Sequence, residues 1–161
     1  MSGFLWGLDL SLSNSGIAII DLNTYQPVYI DSIKTNAKLE HKDRLKQITD
    51  KFDELIIKYP PSVIAIENGF VRHNNATKIL FKVRGVTERW FYNIEQHYYA
   101  PTTVKATILH GQASKEKIKE VLQKKYPEIE IKDNDQADAL GVAITYLVKH
   151  KLIKWNKRKI K

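Results

Sequence analysis

Four carboxylates stand where packing alone would not put them. Asp9 interrupts "GLDLSLSNSGIAII", residues 7–20, in which Gly7, Leu8, Leu10, Ile17, Ala18, Ile19 and Ile20 otherwise read as core. Glu67 ends the apolar run "SVIAIE" (62–67). Asp135 and Asp138 open the last helical stretch, "DQADALGVAITYLVKHK", and a three-residue step puts them on one helix face. Each has an ordinary explanation by itself. Asp9 can bond the turn that follows, Glu67 can be an exposed strand end, Asp135 can cap the helix, and Asp138 can favour its dipole. Asp133, beside them, reads as a solvated loop acid. Converging, the four acids would repel strongly unless a cation compensated. Two Mg²⁺ ions would balance the charge. Mg²⁺ takes oxygen ligands and keeps waters and phosphates in its shell. Two such ions roughly 3.5–4 Å apart suit in-line displacement at phosphorus, one activating the attacking water and the other stabilising the leaving oxygen.

The elements that would have to bring these acids together follow from periodicity. Residues 3–10 and 16–22 read as a hairpin around the turn residues "LSNS", and "PVYIDSIKT" (27–35) as a third strand. Residues 41–59 carry Leu45, Ile48, Phe52, Leu55, Ile56 and Tyr59 at helical steps, and "YPP" stops them. Residues 62–67 predict a central strand parallel to the first, buried on both faces. Residues 74–97 predict one long helix, capped by Asn74 or Asn75 and apolar on two sides through Ile79, Leu80, Phe81, Val83, Val86, Trp90, Phe91 and Ile94. Such a helix is deeply buried or meets a second subunit. "YYAP" (98–101) predicts a short strand, and 102–109 and 114–126 two short helices, the second capped by Ser114. The last helix packs through Ala137, Leu140, Ala143, Ile144 and Leu147. The order predicts an α/β fold: a mixed five-stranded sheet with helices on both faces, in a single domain over residues 1–161.

Composition narrows the chemistry. The chain has 161 residues, 43% hydrophobic, and no cysteine, which excludes disulfides, Cys-ligated zinc and thiol catalysis. The N-terminus lacks a basic n-region, and no apolar run approaches the roughly 20 residues that span a bilayer. A formal net charge of +8 favours a polyanionic partner. The tail, about residues 150–161, adds Lys151, Lys154, Lys157, Arg158, Lys159 and Lys161, as a phosphate-contacting arm or a solvated end.

Four blocks together resemble the RuvC family of Holliday junction resolvases, on the RNase H-like fold. They are "GLDLSLSNSGIAII", "VIAIENGF", "YAPTTVKATILHGQASKEKIKEV" and "DNDQADALGVAITY" with its D-x-x-D-A-L, in order and spread from Phe4 to about Lys149. Position by position, the resemblance implies that Asp9, Glu67, Asp135 and Asp138 bind the metal. Lys105 and Lys115 match lysines near the scissile strand, with Lys117 as a further DNA-contacting candidate, and Phe70 matches an aromatic that meets bases at the junction centre. Gly85 falls in the helix that forms the dimer interface in the family. Inside a helix it costs roughly 1 kcal/mol against Ala, which close approach of a second helix would explain. The chain departs from the family at Asp9-Leu10-Ser11, where the family often has Asp-Pro-Gly, and its tail matches no family motif.

The resemblance implies a crossover junction endodeoxyribonuclease, cytoplasmic in a bacterial or phage-infected cell. It would use two Mg²⁺ per site, with Mn²⁺ as a substitute, and make paired symmetric cuts in four-way or other branched DNA as a homodimer. The products would carry 5′-phosphates. A branch-migration motor is left open as a partner. Two alternatives stand beside it. An actin-like ATPase or sugar kinase opens with a similar strand, aspartate and turn, but needs a second phosphate loop. A non-catalytic branched-DNA-binding module on the same fold would not need all four acids.

Overall fold

The computed structural model describes residues 2–69 and 74–157, so Phe70 and the last four residues of the basic tail lie outside the described part. The chain opens with β1 (Phe4–Asp9), β2 (Asn14–Asp21) and β3 (Gln26–Lys34), continues through α1 (His41–Lys58), β4 (Pro61–Glu67), α2 (Asn75–Trp90) and β5 (Glu95–Tyr99), and closes with α3 (Pro101–Ile108), α4 (Lys115–Lys125) and α5 (Asn134–Lys149). The strands form one sheet in the order β3-β2-β1-β4-β5. β1–β2 and β2–β3 pair antiparallel, while β4 lies parallel to β1 and β5 parallel to β4.

The sheet has a core on each face because its central strands are buried on both. Trp6, Leu8, Ile17, Ile19, Ile64 and Ile66 face α1 and α2, where they meet Ile48, Phe52, Val83 and Phe91. The Trp6 ring centroid lies 5.4 Å from that of Phe91, and its Nε1 donates to Tyr59 O at 2.9 Å. Leu5, Ala18, Ile20, Val63 and Ala65 face α3, α4 and α5. Side chains alternate along a strand, so Asp9 falls with Leu5 and Gly7 on the second face, under α5.

The expected long helix over 74–97 is shorter. α2 ends at Trp90, and residues 95–99 form edge strand β5 instead of a strand at 98–101. Phe91, the C-cap, packs its ring against both Trp6 and Phe52, and the Gln96 side chain donates to Phe91 O at 2.9 Å. Tertiary packing and strand pairing outbid a helical period. Asn74 caps α2 by accepting from Thr77 N, and Ser114 caps α4 by accepting from Lys117 N. At α5 the cap is Asp133, not Asp135: it accepts from Gln136 N at 2.8 Å and from Ser32 Oγ at 2.8 Å. The acid read as a solvated loop residue holds the helix start, and these bonds keep its carboxyl below the usual range despite partial burial.

α5 lies on β1 and β2 at backbone contact. A methyl group at Gly7 would sit 2.1 Å from Ala139 O, and one at Gly16 would sit 1.9 Å from Asp135 O. These neighbours are helix backbone and cannot swing aside. Gly16→Ala is therefore expected to destabilise by about 1–3 kcal/mol or more through overpacking, read as a lower midpoint in urea unfolding.

Candidate active site

Parallel pairing of β1 with β4 runs to Leu8 opposite Ile66, so Asp9 and Glu67 end neighbouring strands one step further on. The first turns of α5 lie above them and bring Asp135 and Asp138. Asp9, Asp135 and Asp138 each offer a carboxylate oxygen, and those oxygens lie within 4.8 Å of one another. Glu67 stands outside that triad. Its charge is nonetheless the strongest of those acting on Asp9, and Asp138 is the strongest of those acting on Glu67.

The electrostatics record the cost of this convergence. Burial, then repulsion by Glu67, Asp138 and Asp135, pushes Asp9 up to about 9. Burial and Asp138 push Glu67 up to about 7, against the pull of Lys115 and Lys105. Burial raises Asp138 as well, although Lys115 opposes it. Lys115 Nζ donates to Asp138 Oδ2 at 3.0 Å. Partial burial disfavours its charge, but the hydrogen bond and attraction of Asp138 win and raise it. Fully ionised, the four acids would carry more negative charge than Lys105 and Lys115 offset, so without a cation the site takes up protons instead.

Its donors are all carboxylates. Hard oxygen donors suit Mg²⁺, Mn²⁺ or Ca²⁺ over softer metals. The lysines differ in where they point. Lys105, on α3, acts on Glu67 and Asp138. Lys115, at the start of α4, touches the cluster directly. Lys117 turns away and pairs with Glu120 at 3.1 Å. Phe70 lies outside the described residues.

Periodicity could not reveal two polar residues, one that joins the site and one that braces the turn beside it. Asn14, read only as turn chemistry, donates through Nδ2 to Asp135 Oδ2 at 2.6 Å. Its turn is held by Ser11 and Ser15, whose hydroxyls bond backbone across it at 2.7–3.0 Å. Arg44 reaches in from α1. Its Nε donates to Thr35 Oγ1 at 2.8 Å, and its Nη2 to Ser13 Oγ at 3.2 Å. These bonds replace the stiffness that Pro-Gly would give after the first aspartate. A polar residue near Asp9 was the available signal, but nothing in the spacing links residue 14 to residue 135.

The family described as crossover junction endodeoxyribonuclease RuvC matches residues 5–146. The RuvC proteins of Rickettsia typhi and Rickettsia massiliae are both 34% identical to this chain, the first over 90% of it and 97% of the relative, the second over 88% and 95%. Among solved structures, Thermus thermophilus RuvC in complex with a Holliday junction substrate superposes with a TM-score of 0.83 at 20% identity, covering 93% of this chain and 96% of that one. The yeast mitochondrial Holliday junction resolvase gives 0.63 at 14% identity, covering 97% and 84%. At these identities the two structures carry the fold, a resolvase-type sheet with helices on both faces.

The raised acids set a pH dependence. Between their ordinary values, 3.8 and 4.5, and about 9 and about 7, the folded metal-free protein holds more protons than the unfolded chain. Stability therefore falls as pH rises through that window. Without metal, the melting temperature should drop from about pH 5 to about pH 9. Saturating Mg²⁺ should raise it by a few degrees, more at the alkaline end. Asp9→Asn should flatten the slope and lose the metal-induced rise. A melting temperature indifferent to pH and to Mg²⁺ would contradict the burial and repulsion described above.

Proposed function

The chain belongs to the RuvC family of crossover junction endodeoxyribonucleases, and from that premise we propose how its own residues cut DNA. It is a Holliday junction resolvase, an enzyme that hydrolyses phosphodiester bonds at four-way junctions. The kinase and the non-catalytic binder fall away with that membership. The observation that carries the residue-level reading is the carboxylate triad of Asp9, Asp135 and Asp138, with Glu67 beside it.

The four acids would hold two Mg²⁺ ions. The fit rests on the donor set and on the excess negative charge, which a divalent oxygen-seeking cation relieves. Bound ions would lower the pKa of the attacking water and offset charge on the phosphate oxygens. The protein supplies the rest. Asn14 and the Asp133 cap orient Asp135 at the head of α5. Lys115 steadies Asp138 in the metal-free enzyme. Its side chain is 52% exposed, so its ammonium can pass to an oxygen of the scissile phosphate as charge develops there. Lys105 adds a second positive charge on the same side. The basic surface provides general affinity for the backbone, and Phe70 contacts unpaired bases at the junction centre.

A homodimer would bring two sites to a four-way junction, so that the twofold axes of protein and DNA coincide and the cuts pair. The open face of α2 supports this. Phe81 is 49% exposed, and among the described residues nothing lies within 4 Å of the position that a side chain at Gly85, one turn on, would take. A second helix could approach closely there.

Two experiments test this reading. Asp138→Asn should abolish cleavage of a labelled junction in Mg²⁺, by about two orders of magnitude or more, and keep the mobility shift seen in EDTA. A folded variant that no longer binds would move Asp138 from catalysis to DNA contact. Phe81→Glu should shift the protein from dimer to monomer in light scattering and replace paired cuts with single nicks. An unchanged dimer would send the interface elsewhere.

A further inference from the structure

Beyond the family match, which ends at residue 146, the chain does not simply trail into solvent. α5 stops in a reversing turn: Lys151 N donates to Val148 O at 3.1 Å and Leu152 N to Leu147 O at 2.9 Å, with Lys151 at φ 58°. This is the hydrogen-bond pattern of a Schellman motif, normally built on glycine. A lysine there is strained by roughly 1–2 kcal/mol, so packing beyond the turn must hold it. That packing is Leu152, Ile153 and Trp155, which fold back onto the core shared by α3, α4 and α5. The Trp155 ring lies 6.4 Å from that of Tyr126.

The tail then closes the end of α3. This helix has eight residues, well short of the roughly 12–15 an isolated helix needs. Its N-cap, Ala100, offers no side-chain bond, and its C-cap, Leu109, is not a glycine. Leu109 N satisfies Lys105 O, which leaves the last carbonyls of the helix to find partners. Trp155 Nε1 donates to Ile108 O at 2.9 Å, and Lys157 Nζ donates to Ala106 O. Both bonds fall within one turn of Lys105, whose charge acts on Glu67 and Asp138.

We propose that Trp155 is a positioning residue for Lys105: the C-terminal tail clamps the end of α3 and thereby holds that lysine toward the acidic site. This rests on the role given to Lys105 under Proposed function. It assigns the tail a task other than that of a basic arm on DNA.

The test uses the full chain with Trp155→Ala, Trp155→Phe, Lys105→Ala and the double variant Trp155→Ala/Lys105→Ala. Three quantities are read: the single-turnover rate on a saturating four-way junction in Mg²⁺, junction affinity in EDTA, and amide hydrogen exchange across residues 101–109. Trp155→Ala should slow cleavage by about three- to tenfold, the worth of a lost hydrogen bond, and leave affinity unchanged. Exchange in α3 should quicken while α4 stays protected. The double variant should be no slower than Lys105→Ala, because the tryptophan acts through the lysine. Trp155→Phe keeps the ring contact but not the donor, so it should fold and lose a smaller share of the rate. Weakened affinity with multiplying effects in the double variant, or unaltered exchange in α3, would overturn the proposal. Wild-type cleavage by Lys105→Ala would instead overturn the lysine's role, and exchange in α3 would still decide whether the tail holds the helix.

Discussion

Backbone contact between α5 and the first two strands is the constraint on which the site depends. Asp9 is near the start of the chain and Asp138 near its end, and a carboxylate side chain reaches only a few ångströms. They meet because Gly7 and Gly16 remove the side chains that would hold the helix off. The carbonyls of Ala139 and Asp135 occupy the vacated space. The sheet on one side and α3 and α4 on the other bury every residue of α5 from Gln136 to Leu147. The helix is thus both the centre of one core and the carrier of two acids. Stability and chemistry share an element, so a change meant for one is felt by the other.

Convergence of acids has a thermodynamic consequence that also points to its use. Burial and mutual repulsion raise Asp9, Glu67 and Asp138 together. A fold optimised only for stability would have replaced such a cluster with apolar side chains, since isolated buried charge is costly. Lys115 offsets part of the excess through one ion pair. The remainder is a standing demand for positive charge at the C-terminal ends of β1 and β4. Ligands of parallel strands in open α/β sheets characteristically gather at such ends.

The supporting contacts around the acids come from several elements. The turn after Asp9 lacks Pro-Gly, and Arg44 of α1 and the hydroxyls of Ser11, Ser15 and Thr35 hold it. Asp133 and Asn14 set the start of α5. α3 is closed by residues that lie past the end of the family match. On the opposite face of the sheet, α2 keeps Phe81 and Gly85 open while its inner side packs through Val83 and Thr87.

Much of this was legible in the residues. Alternation in β1 put Asp9 on the opposite side from Leu8, helical spacing put Asp135 and Asp138 on one face, and the order of elements implied the mixed sheet. The four family blocks named the acids and Lys115. Other features were decided only by the folded chain. α2 ends at Trp90, where Phe91 joins the ring cluster of Trp6 and Phe52, a contact that no local period encodes. Asp133 caps α5 because Ser32, a hundred residues earlier, stands beside it. Asn14 reaches Asp135, and Trp155 reaches Ile108, across separations that a sequence window does not span. Local pattern reports which face a side chain takes. Which distant group it meets depends on how closely the backbones approach, and here two absent side chains, at Gly7 and Gly16, set that distance.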